Sequence, residues 1–249
     1  MKLTTQQMKQ EEGYSFPYHY LDLASDEHRL VRNIEYLSYL RFVKNLLRPF
    51  HGQTVLDVGC GDGRFCYELK DELVRAFGVD YSKDALAFAI AFNPHAIFFR
   101  QDLRKLRFSQ TFGAAVCIET LEHLPVEEVP VVIKHLSKLL KKEGKLIVTV
   151  PSTAVAVDPK HYQHFTESSL RDALSQYFQV ETVLGYSKLG LRNILFLYLK
   201  RIGLVFLPWS KWLPFLKTYY DFLSRYYTQH LALGEPDKCR GLIAVCRKL

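Results

Sequence analysis

Two carboxylates and an imidazole follow an apolar run in the stretch CIETLEHL, residues 117–124. Glu119, Glu122 and His123 are spaced three and four residues apart, so a helical turn that begins here would place all three on one face. Such a group can be a solvated helix start, an acid–base pair that faces a substrate, or a ligand set for a hard or borderline divalent cation. The surrounding elements must decide between these three interpretations.

A glycine-rich turn precedes that stretch, in VLDVGCGDGRF at residues 55–65. Gly59, Gly61 and Gly63 stand where an apolar strand gives way to a helix, and glycine permits positive φ and a close approach of the backbone to a ligand. The spacing is GxGxG and differs from the GxGxxG of dinucleotide-binding folds. A tight turn alone would also explain these glycines, so the flanking acids carry the argument.

Acidic residues end three successive predicted strands. Asp57 lies in the first strand, Asp80 closes the second, and Asp102 closes the third. Open α/β sheets bind their ligands at the carboxyl ends of the strands, and a carboxylate at the position of Asp80 can accept both hydroxyl protons of a ribose. These residues predict a nucleoside site at one edge of the sheet.

The elements that position these residues alternate between apolar strands and helices. Seven strands are predicted, over residues 54–58, 74–80, 96–102, 113–119, 144–151, 178–187 and 241–249. Helices are predicted over residues 26–48, 64–70, 83–92, 129–142 and 166–177. This order favours an α/β fold in which a mostly parallel sheet carries helices on both faces. The first thirteen residues are predicted to lack regular structure.

The motif DVGCGDG, with Asp80 and Asp102, resembles the cofactor-binding motifs of the class I S-adenosylmethionine-dependent methyltransferases. The resemblance covers residues 30–187 and the last strand, and it implies a Rossmann-like sheet with a C-terminal helical insertion before that strand. It divides the chain into an N-terminal tail or lid (1–25), a methyltransferase domain (26–187 with 239–249) and an acceptor lid (188–238). The cofactor-binding residues that it implies are Asp57, Gly59, Cys60, Gly61, Gly63, Asp80, Tyr81, Asp102, Leu103 and Glu119.

The pattern E-x-x-E-H is similar to the metal site of small-RNA 3′-end 2′-O-methyltransferases, and ubiquinone-biosynthesis O-methyltransferases share it. A second pair of imidazoles, His161 and His164, follows the fifth predicted strand. This second resemblance implies that Glu119, Glu122, His123 and His161 bind Mg²⁺ or Mn²⁺, which would lower the pKa of an acceptor hydroxyl. The alternative is metal-free catalysis in which His123 or His161 acts as a general base.

Basic and aromatic residues are concentrated near the C-terminus. The segment from residue 186 to the end holds 11 of the 33 Lys and Arg residues but 3 of the 26 acids. Residues 193–228 interleave cations with aromatic side chains, and both tryptophans, Trp209 and Trp212, fall there. The segment could pack on the sheet, cover the acceptor, contact a membrane surface or attract RNA phosphates. Because no RNA-binding module is recognisable, we expect RNA to be the less favoured partner.

Five cysteines without a CxxC pair, together with a polar N-terminus, indicate a cytoplasmic location, with or without peripheral membrane contact. The overall prediction is a methyltransferase that uses S-adenosylmethionine to methylate the hydroxyl of a small-molecule, glycan or lipid-linked acceptor. A metal-dependent RNA 2′-O-methyltransferase and a non-catalytic scaffold that binds the cofactor are the two alternatives.

Overall fold

A computed structural model describes residues 4–23, 33–72, 74–206 and 215–249. Its centre is one sheet with the strand order β3-β2-β1-β4-β5-β8-β6-β7. The strands are β1 (Thr54–Val58), β2 (Arg75–Asp80), β3 (Ile97–Arg100), β4 (Phe112–Ile118), β5 (Leu140–Pro151), β6 (Phe178–Lys188), β7 (Leu233–Gly234) and β8 (Cys239–Lys248).

The strands β1 to β5 run parallel to one another, and β8 lies antiparallel between β5 and β6. The chain leaves β1 toward β2 on one side and later returns to pair β4 on its other side. At such a reversal of strand order, the crevice at the carboxyl ends of the strands is open to a ligand. The topology therefore positions the glycine turn and the predicted acids at one edge.

Helices cover both faces of the sheet. They are α1 (Thr5–Gly13), α2 (Ile34–Leu46), α3 (Arg64–Glu68), α4 (Lys83–Phe92), α5 (Val129–Leu139), α6 (Glu167–Ser175), α7 (Leu191–Phe206) and α8 (Phe215–His230). Val132 and Ile133 of α5 pack with Leu170 of α6 on one face, whereas Leu40 and Val43 of α2 pack on the other. Thr166 caps α6, because its hydroxyl accepts a hydrogen bond from the Ser169 amide at 3.1 Å.

Three predictions about elements were wrong. The sheet has eight strands instead of seven, because two residues of β7 pair with Gly185 and Tyr186, too short a run to show an alternating pattern. Residues 5–13 form α1, which a capping box between Thr4 and Gln7 begins. The fifth helix ends at Leu139, and β5 begins at Leu140 because that buried side chain pairs with Phe112.

Some predictions lie outside the described residues. They concern the first part of the helix expected from residue 26, and Trp209, Lys211 and Trp212 of the insertion. The insertion itself contributes α7 and α8, which pack against each other beside α2. In the described ranges, none of the helices has the length and apolar character needed to cross a bilayer.

Candidate active site

The glycine turn between β1 and α3 takes the conformation that its sequence predicts. Gly59, Gly61 and Gly63 have φ values of 71°, 53° and 79°, in the left-handed region that favours glycine. A Cβ at Gly59 would lie 2.4 Å from the Thr120 side chain, and a Cβ at Gly61 would lie 2.6 Å from the Tyr14 hydroxyl. The turn therefore requires glycine both for its backbone angles and for the space around it.

Asp80 is held against this turn by two backbone hydrogen bonds. Its Oδ2 accepts from the Gly61 amide at 2.9 Å, and its Oδ1 accepts from the Ser82 amide at 2.9 Å. A carboxylate has about four acceptor positions, so both oxygens keep lone pairs for a further donor. The buried carboxylate is thus fixed in orientation and still able to accept hydrogen bonds from a ligand.

Asp57 is a buried acid beside the glycine turn. The residue is 3% exposed, and among the described residues its side chain accepts only the weak hydrogen bond that the Cys66 thiol donates at 3.7 Å. Burial, with the charges of Asp80 and Asp62 adding, raises the pKa of Asp57 to about 7. A cation beside Asp57 would stabilise the ionised form.

These residues line a cavity of about 550 Å³ at the carboxyl edge of the sheet. That volume lies within the usual range for small-molecule sites, about 300–1,000 Å³. The predicted residues that line it are Asp57, Gly59, Cys60, Gly61, Asp80, Tyr81, Asp102, Leu103, Glu119 and His123. Of the predicted residues, all of which the structure describes, Gly63, Glu122 and His161 lie outside that lining; Gly63 instead caps α3.

The N-terminal segment forms one wall of the cavity. His19 contacts both oxygens of the Asp62 carboxylate at 3.0 Å, and the Tyr81 hydroxyl donates to Gln10 of α1 at 3.1 Å. The Tyr20 hydroxyl donates to the backbone carbonyl of Asp62 at 3.2 Å. The segment before α2 is therefore tied to the glycine turn and to the end of β2.

Several residues that line the cavity belong to no motif and could not be predicted from the sequence. Arg104 binds Asp102 through two nitrogens and also binds Glu128 at 2.9 Å, so it orients the acid at the end of β3. Tyr186 of β6 and Arg240 of β8 also line the cavity, although both lie more than 60 residues beyond the stretch 117–124. Only the sheet order could reveal them.

The structure separates Glu119 from the other predicted metal ligands. Its φ is 47°, so the backbone turns at this residue, and the following 3₁₀ turn spans only Leu121–His123. The shared helical face expected for Glu119 and Glu122 is therefore wrong. Burial raises the pKa of Glu119, while Tyr186 and Thr149 hydrogen bonds and the charge of Arg240 oppose that rise.

Glu122, His123 and His161 do come together. One ligand atom from each lies within 4.8 Å of the others, and the two imidazole rings meet edge to face at 4.7 Å. Glu122 is fully buried, and within the part of the chain that the structure describes neither of its carboxylate oxygens has a hydrogen-bond partner. Burial, with the charge of Glu119 adding, raises the pKa of Glu122.

Hydrogen bonds fix the protons of both imidazoles. His123 Nδ1 lies 3.2 Å from the Lys160 carbonyl oxygen, which can only accept, so this nitrogen carries the proton. His164 Nδ1 donates to the Val155 carbonyl at 3.1 Å for the same reason, and its Nε2 must then accept from His161 Nδ1 at 2.9 Å. Both His123 and His161 therefore keep the Nε2 lone pair.

Burial keeps these two imidazoles neutral. It lowers the pKa of His123, and with the nearby His123 it lowers the pKa of His161 to about 4. Neutral rings with a free Nε2 can bind a metal ion or accept a proton. Of the two, only His123 lines the cavity, so His161 lies behind it among the residues that the structure describes.

The sequence matches a family described as a methyltransferase domain over residues 25–183, which is more than half of the chain. This chain belongs to the class I S-adenosylmethionine-dependent methyltransferases. The methyltransferase is 29% identical to a ubiquinone biosynthesis O-methyltransferase from Idiomarina loihiensis, over 43% of this chain and 46% of the relative. It is 28% identical to a dTDP-3-amino-3,6-dideoxy-alpha-D-glucopyranose N,N-dimethyltransferase from Streptomyces fradiae, over 38% of each chain.

The fold of this methyltransferase is also that of a solved N-methyltransferase, NodS from Bradyrhizobium japonicum. The two share a TM-score of 0.60 and 16% identity over 93% of this chain and 96% of the other, and NodS was solved with S-adenosyl-L-homocysteine bound. The chain spans about half the length of the curated relatives it matches. The named relatives methylate oxygen or nitrogen. Membership of the family therefore indicates the cofactor, S-adenosylmethionine, but does not identify the acceptor atom.

The residues present fit S-adenosylmethionine. Asp57 offers a buried carboxylate with no cationic partner among the described residues, which suits the ammonium of the methionine part. Asp80 offers oriented acceptor oxygens to the ribose hydroxyls, and the Gly61 amide fixes that orientation. Of the four metal ligands implied by the second resemblance, Glu122, His123 and His161 lie together, whereas Glu119 lies apart.

Cofactor affinity is expected to fall in acid because Asp57 must be ionised to pair with the ammonium. The pKa of Asp57 is raised, so lowering the pH through about 7 protonates the carboxyl and removes the attraction. We expect the affinity for S-adenosylhomocysteine to drop about tenfold between pH 8 and pH 6, since each pH unit below the pKa costs a factor of ten. Isothermal titration calorimetry at a series of pH values measures this.

Two controls isolate Asp57. 5′-Methylthioadenosine lacks the amino acid part, so its affinity should not follow the same titration. Asp57→Asn should bind S-adenosylhomocysteine weakly and with no step near pH 7. An equal pH dependence for both ligands in the wild-type chain would contradict the assignment.

Proposed function

We propose that the chain transfers a methyl group from S-adenosylmethionine to a hydroxyl oxygen of a small-molecule, glycan or lipid-linked acceptor. The observation that carries the proposal is the neutral His123, which lines the cavity and has its proton on Nδ1, so that Nε2 can accept one. A neutral amine attacks through a lone pair that it already has, whereas a hydroxyl must lose its proton as it reacts. A positioned base beside the cavity therefore favours oxygen acceptors.

Asp57, Asp80 and the backbone of the glycine turn would hold the cofactor, with Tyr81 and Leu103 beside its adenine. When bound, S-adenosylmethionine supplies a methyl group on a positively charged sulfur. The chain then has to orient the acceptor, exclude water and remove the acceptor proton. Positioning alone can contribute about 7–11 kcal/mol to such a reaction.

His123 Nε2 takes the proton of the acceptor hydroxyl. The Lys160 carbonyl stabilises the resulting imidazolium, because it accepts the Nδ1 proton at 3.2 Å. Buried Glu122 lies close to the same ring, with its Oε1 3.9 Å from His123 Nε2. These residues thus supply a base together with the groups that orient it, which is the arrangement that general-base catalysis needs.

The cavity also suits a polar acceptor. Glu119 and Tyr186 line it, and Arg240 and Asn193 reach it from β8 and α7. Among the described residues, the buried Oε1 of Glu119 and Oδ1 of Asn193 have no donor. Because buried oxygens without donors are costly, an acceptor that carries several hydroxyl groups would satisfy them.

A screen of phenols, sugars and lipid-linked alcohols with labelled cofactor tests this proposal. His123→Gln is expected to lower kcat by about 10²–10⁴-fold, the usual worth of a general base, and to leave S-adenosylhomocysteine affinity unchanged. His51→Gln, on an exposed ring far from the cavity, is the matched control. Transfer to amines only, or a His123→Gln variant as active as the wild type, would contradict the proposal.

A metal-dependent reaction is the second candidate, because Glu122 is a fully buried carboxylate with two unsatisfied oxygens among the described groups. His123 and His161 present neutral Nε2 atoms beside it, and the Lys160 carbonyl and His164 orient those rings as outer-shell partners. The carboxylate suits Mn²⁺ or Mg²⁺, whereas the two imidazoles suit borderline ions such as Zn²⁺ or Fe²⁺. An ion there would lower the pKa of an acceptor hydroxyl and replace His123 as the proton-removing group.

Metal dependence makes a separate prediction. Mn²⁺ added to chelator-treated protein should raise the thermal unfolding temperature of the wild type and of Glu127→Gln, an exposed control, and should not raise that of Glu122→Gln. The same chelation should abolish methyl transfer. Equal unfolding temperatures with and without Mn²⁺, together with full activity in chelator, would eliminate the metal and leave the His123 base.

The RNA and scaffold alternatives have their own outcomes. An RNA acceptor requires affinity that falls steeply with salt, because phosphate contacts release counterions. A non-catalytic scaffold would bind S-adenosylmethionine and transfer no methyl group to any acceptor in the screen. We also propose a cytoplasmic location, which the composition favours.

A further inference from the structure

Helix α7 presents a continuous apolar stripe to solvent. Leu191, Ile194, Tyr198 and Val205 are 84%, 63%, 63% and 61% exposed. They recur every three to four residues, with Ile202 between the last two, so they lie along one side of the helix. The 16 residues of α7 span about 24 Å. A stripe of this length is more than the scattered apolar residues of an ordinary surface.

The opposite side of α7 is anchored, so the stripe cannot turn inward. Phe196 and Gly203 are buried against α8, and the hydroxyls of Tyr219 and Tyr220 donate at 2.8 Å to the carbonyls of Leu199 and Gly203. Lys200 forms an ion pair with Glu35 of α2. The helix is therefore apolar on both sides, and one of them is held outward.

The charged residues of α7 and α8 are mostly basic. The two helices carry five Lys or Arg residues and one acid, Asp221. Arg192 and Arg201 on α7, and Lys217 and Arg225 on α8, are exposed. An apolar stripe flanked by cations complements an anionic lipid surface, whereas a second copy of the chain would bring like charges together.

Helix α7 also borders the cavity. Leu189, which precedes α7, and Asn193 and Leu197 within it line the cavity, and Leu189 and Leu197 are also exposed to solvent. An acceptor with an apolar chain could therefore move from a lipid surface at α7 to the site without crossing water.

We propose that the outward face of α7 and α8 docks this chain on an anionic lipid surface, and that the acceptor is an amphipathic molecule drawn from that surface. Docking itself is independent of the methyl-transfer proposal, whereas the acceptor class rests on it. α7 would lie in the interface plane, with the stripe among the acyl chains and its arginines at the headgroups.

Co-sedimentation of the full chain with vesicles tests the docking. We expect binding to phosphatidylcholine vesicles that contain phosphatidylserine, and weaker binding to pure phosphatidylcholine or in high salt. The variant Ile194→Gln/Tyr198→Gln/Val205→Gln, which changes stripe residues outside the cavity lining, should weaken binding at least about tenfold because three side chains lose their burial in lipid. The same change at exposed apolar residues of other elements, Ile90→Gln/Val126→Gln/Val131→Gln, should not.

Titration of both variants with S-adenosylhomocysteine separates the two proposals. Loss of vesicle binding with unchanged cofactor affinity supports docking through the stripe. If the wild-type protein binds the cofactor but no vesicle, the docking proposal is overturned and the methyl-transfer proposal stands. If it binds vesicles but has no affinity for the cofactor, the methyl-transfer proposal is overturned and the docking proposal stands. Concentration-dependent dimers that the stripe variant abolishes would identify a second copy as the occupant and overturn the lipid assignment.

Discussion

Asp80→Ala is expected to weaken S-adenosylhomocysteine binding by at least about a hundredfold. Two charge-assisted hydrogen bonds to the ribose, each worth about 1.5–3 kcal/mol, would be lost, and 1.4 kcal/mol corresponds to about a tenfold change. The change also removes the acceptor of the Gly61 and Ser82 amides, so the turn that faces the cofactor loosens. We expect a loss of about 2 kcal/mol in the free energy of unfolding, because those buried donors become unsatisfied.

Calorimetric titration and urea denaturation measure these two effects. Asp84→Ala is the matched control, since Asp84 is an exposed acid in the first turn of the neighbouring helix α4. It should leave ligand affinity unchanged and cost a few tenths of a kcal/mol through the helix dipole. Asp80→Ala with wild-type affinity would show that the ligand does not use this carboxylate.

Gly59→Ala is expected to destabilise the fold by about 3 kcal/mol or more and to remove cofactor binding. A methyl group there lies 2.4 Å from both Thr120 Cγ2 and Thr120 Oγ1. Thr120 cannot move freely, because its hydroxyl donates to the carbonyls of Val58 and Ile118 at 3.2 and 2.9 Å. The clash therefore pushes apart β1 and the turn that carries Glu122 and His123.

The chain offers a control that separates strain from clash. Gly52 has a φ of 77°, close to the 71° of Gly59, and no described atom lies within 4 Å of the position of its Cβ. Gly52→Ala should therefore cost only the backbone strain of about 1 kcal/mol. Thr120→Ala combined with Gly59→Ala should restore part of the loss, which a double-mutant cycle measures. Equal unfolding free energies for the two glycine variants would contradict the steric account.

Most of the sheet could be predicted from local pattern. The strands β1, β2, β4, β6 and β8 begin and end within two residues of their predicted bounds, because a buried strand requires an apolar run of that length. The edge strand β7 and the start of β5 could not be predicted. Their pairing with Gly185 and Phe112 depends on residues distant in the chain.

The candidate site divides in the same way. Asp57, the glycine turn, Asp80 and Asp102 meet as predicted, since the carboxyl ends of adjacent parallel strands must share an edge. Glu119 was placed wrongly because its left-handed backbone breaks the helical spacing that the prediction assumed. The cavity residues Arg104, Tyr186 and Arg240 carry no motif, so spacing could not indicate them.

By itself the sequence determined most helices and strands, their order and the chemistry at the strand ends. The spacing of apolar residues, the glycine turn and the acids at the strand ends are local properties that can be read from the sequence. Only the tertiary structure decided which imidazole faces the cavity, that His164 and the Lys160 carbonyl leave Nε2 free on His161 and His123, and that α7 holds its apolar stripe outward. Those facts depend on contacts between distant segments, whose geometry is set when the whole sheet and its helices pack together.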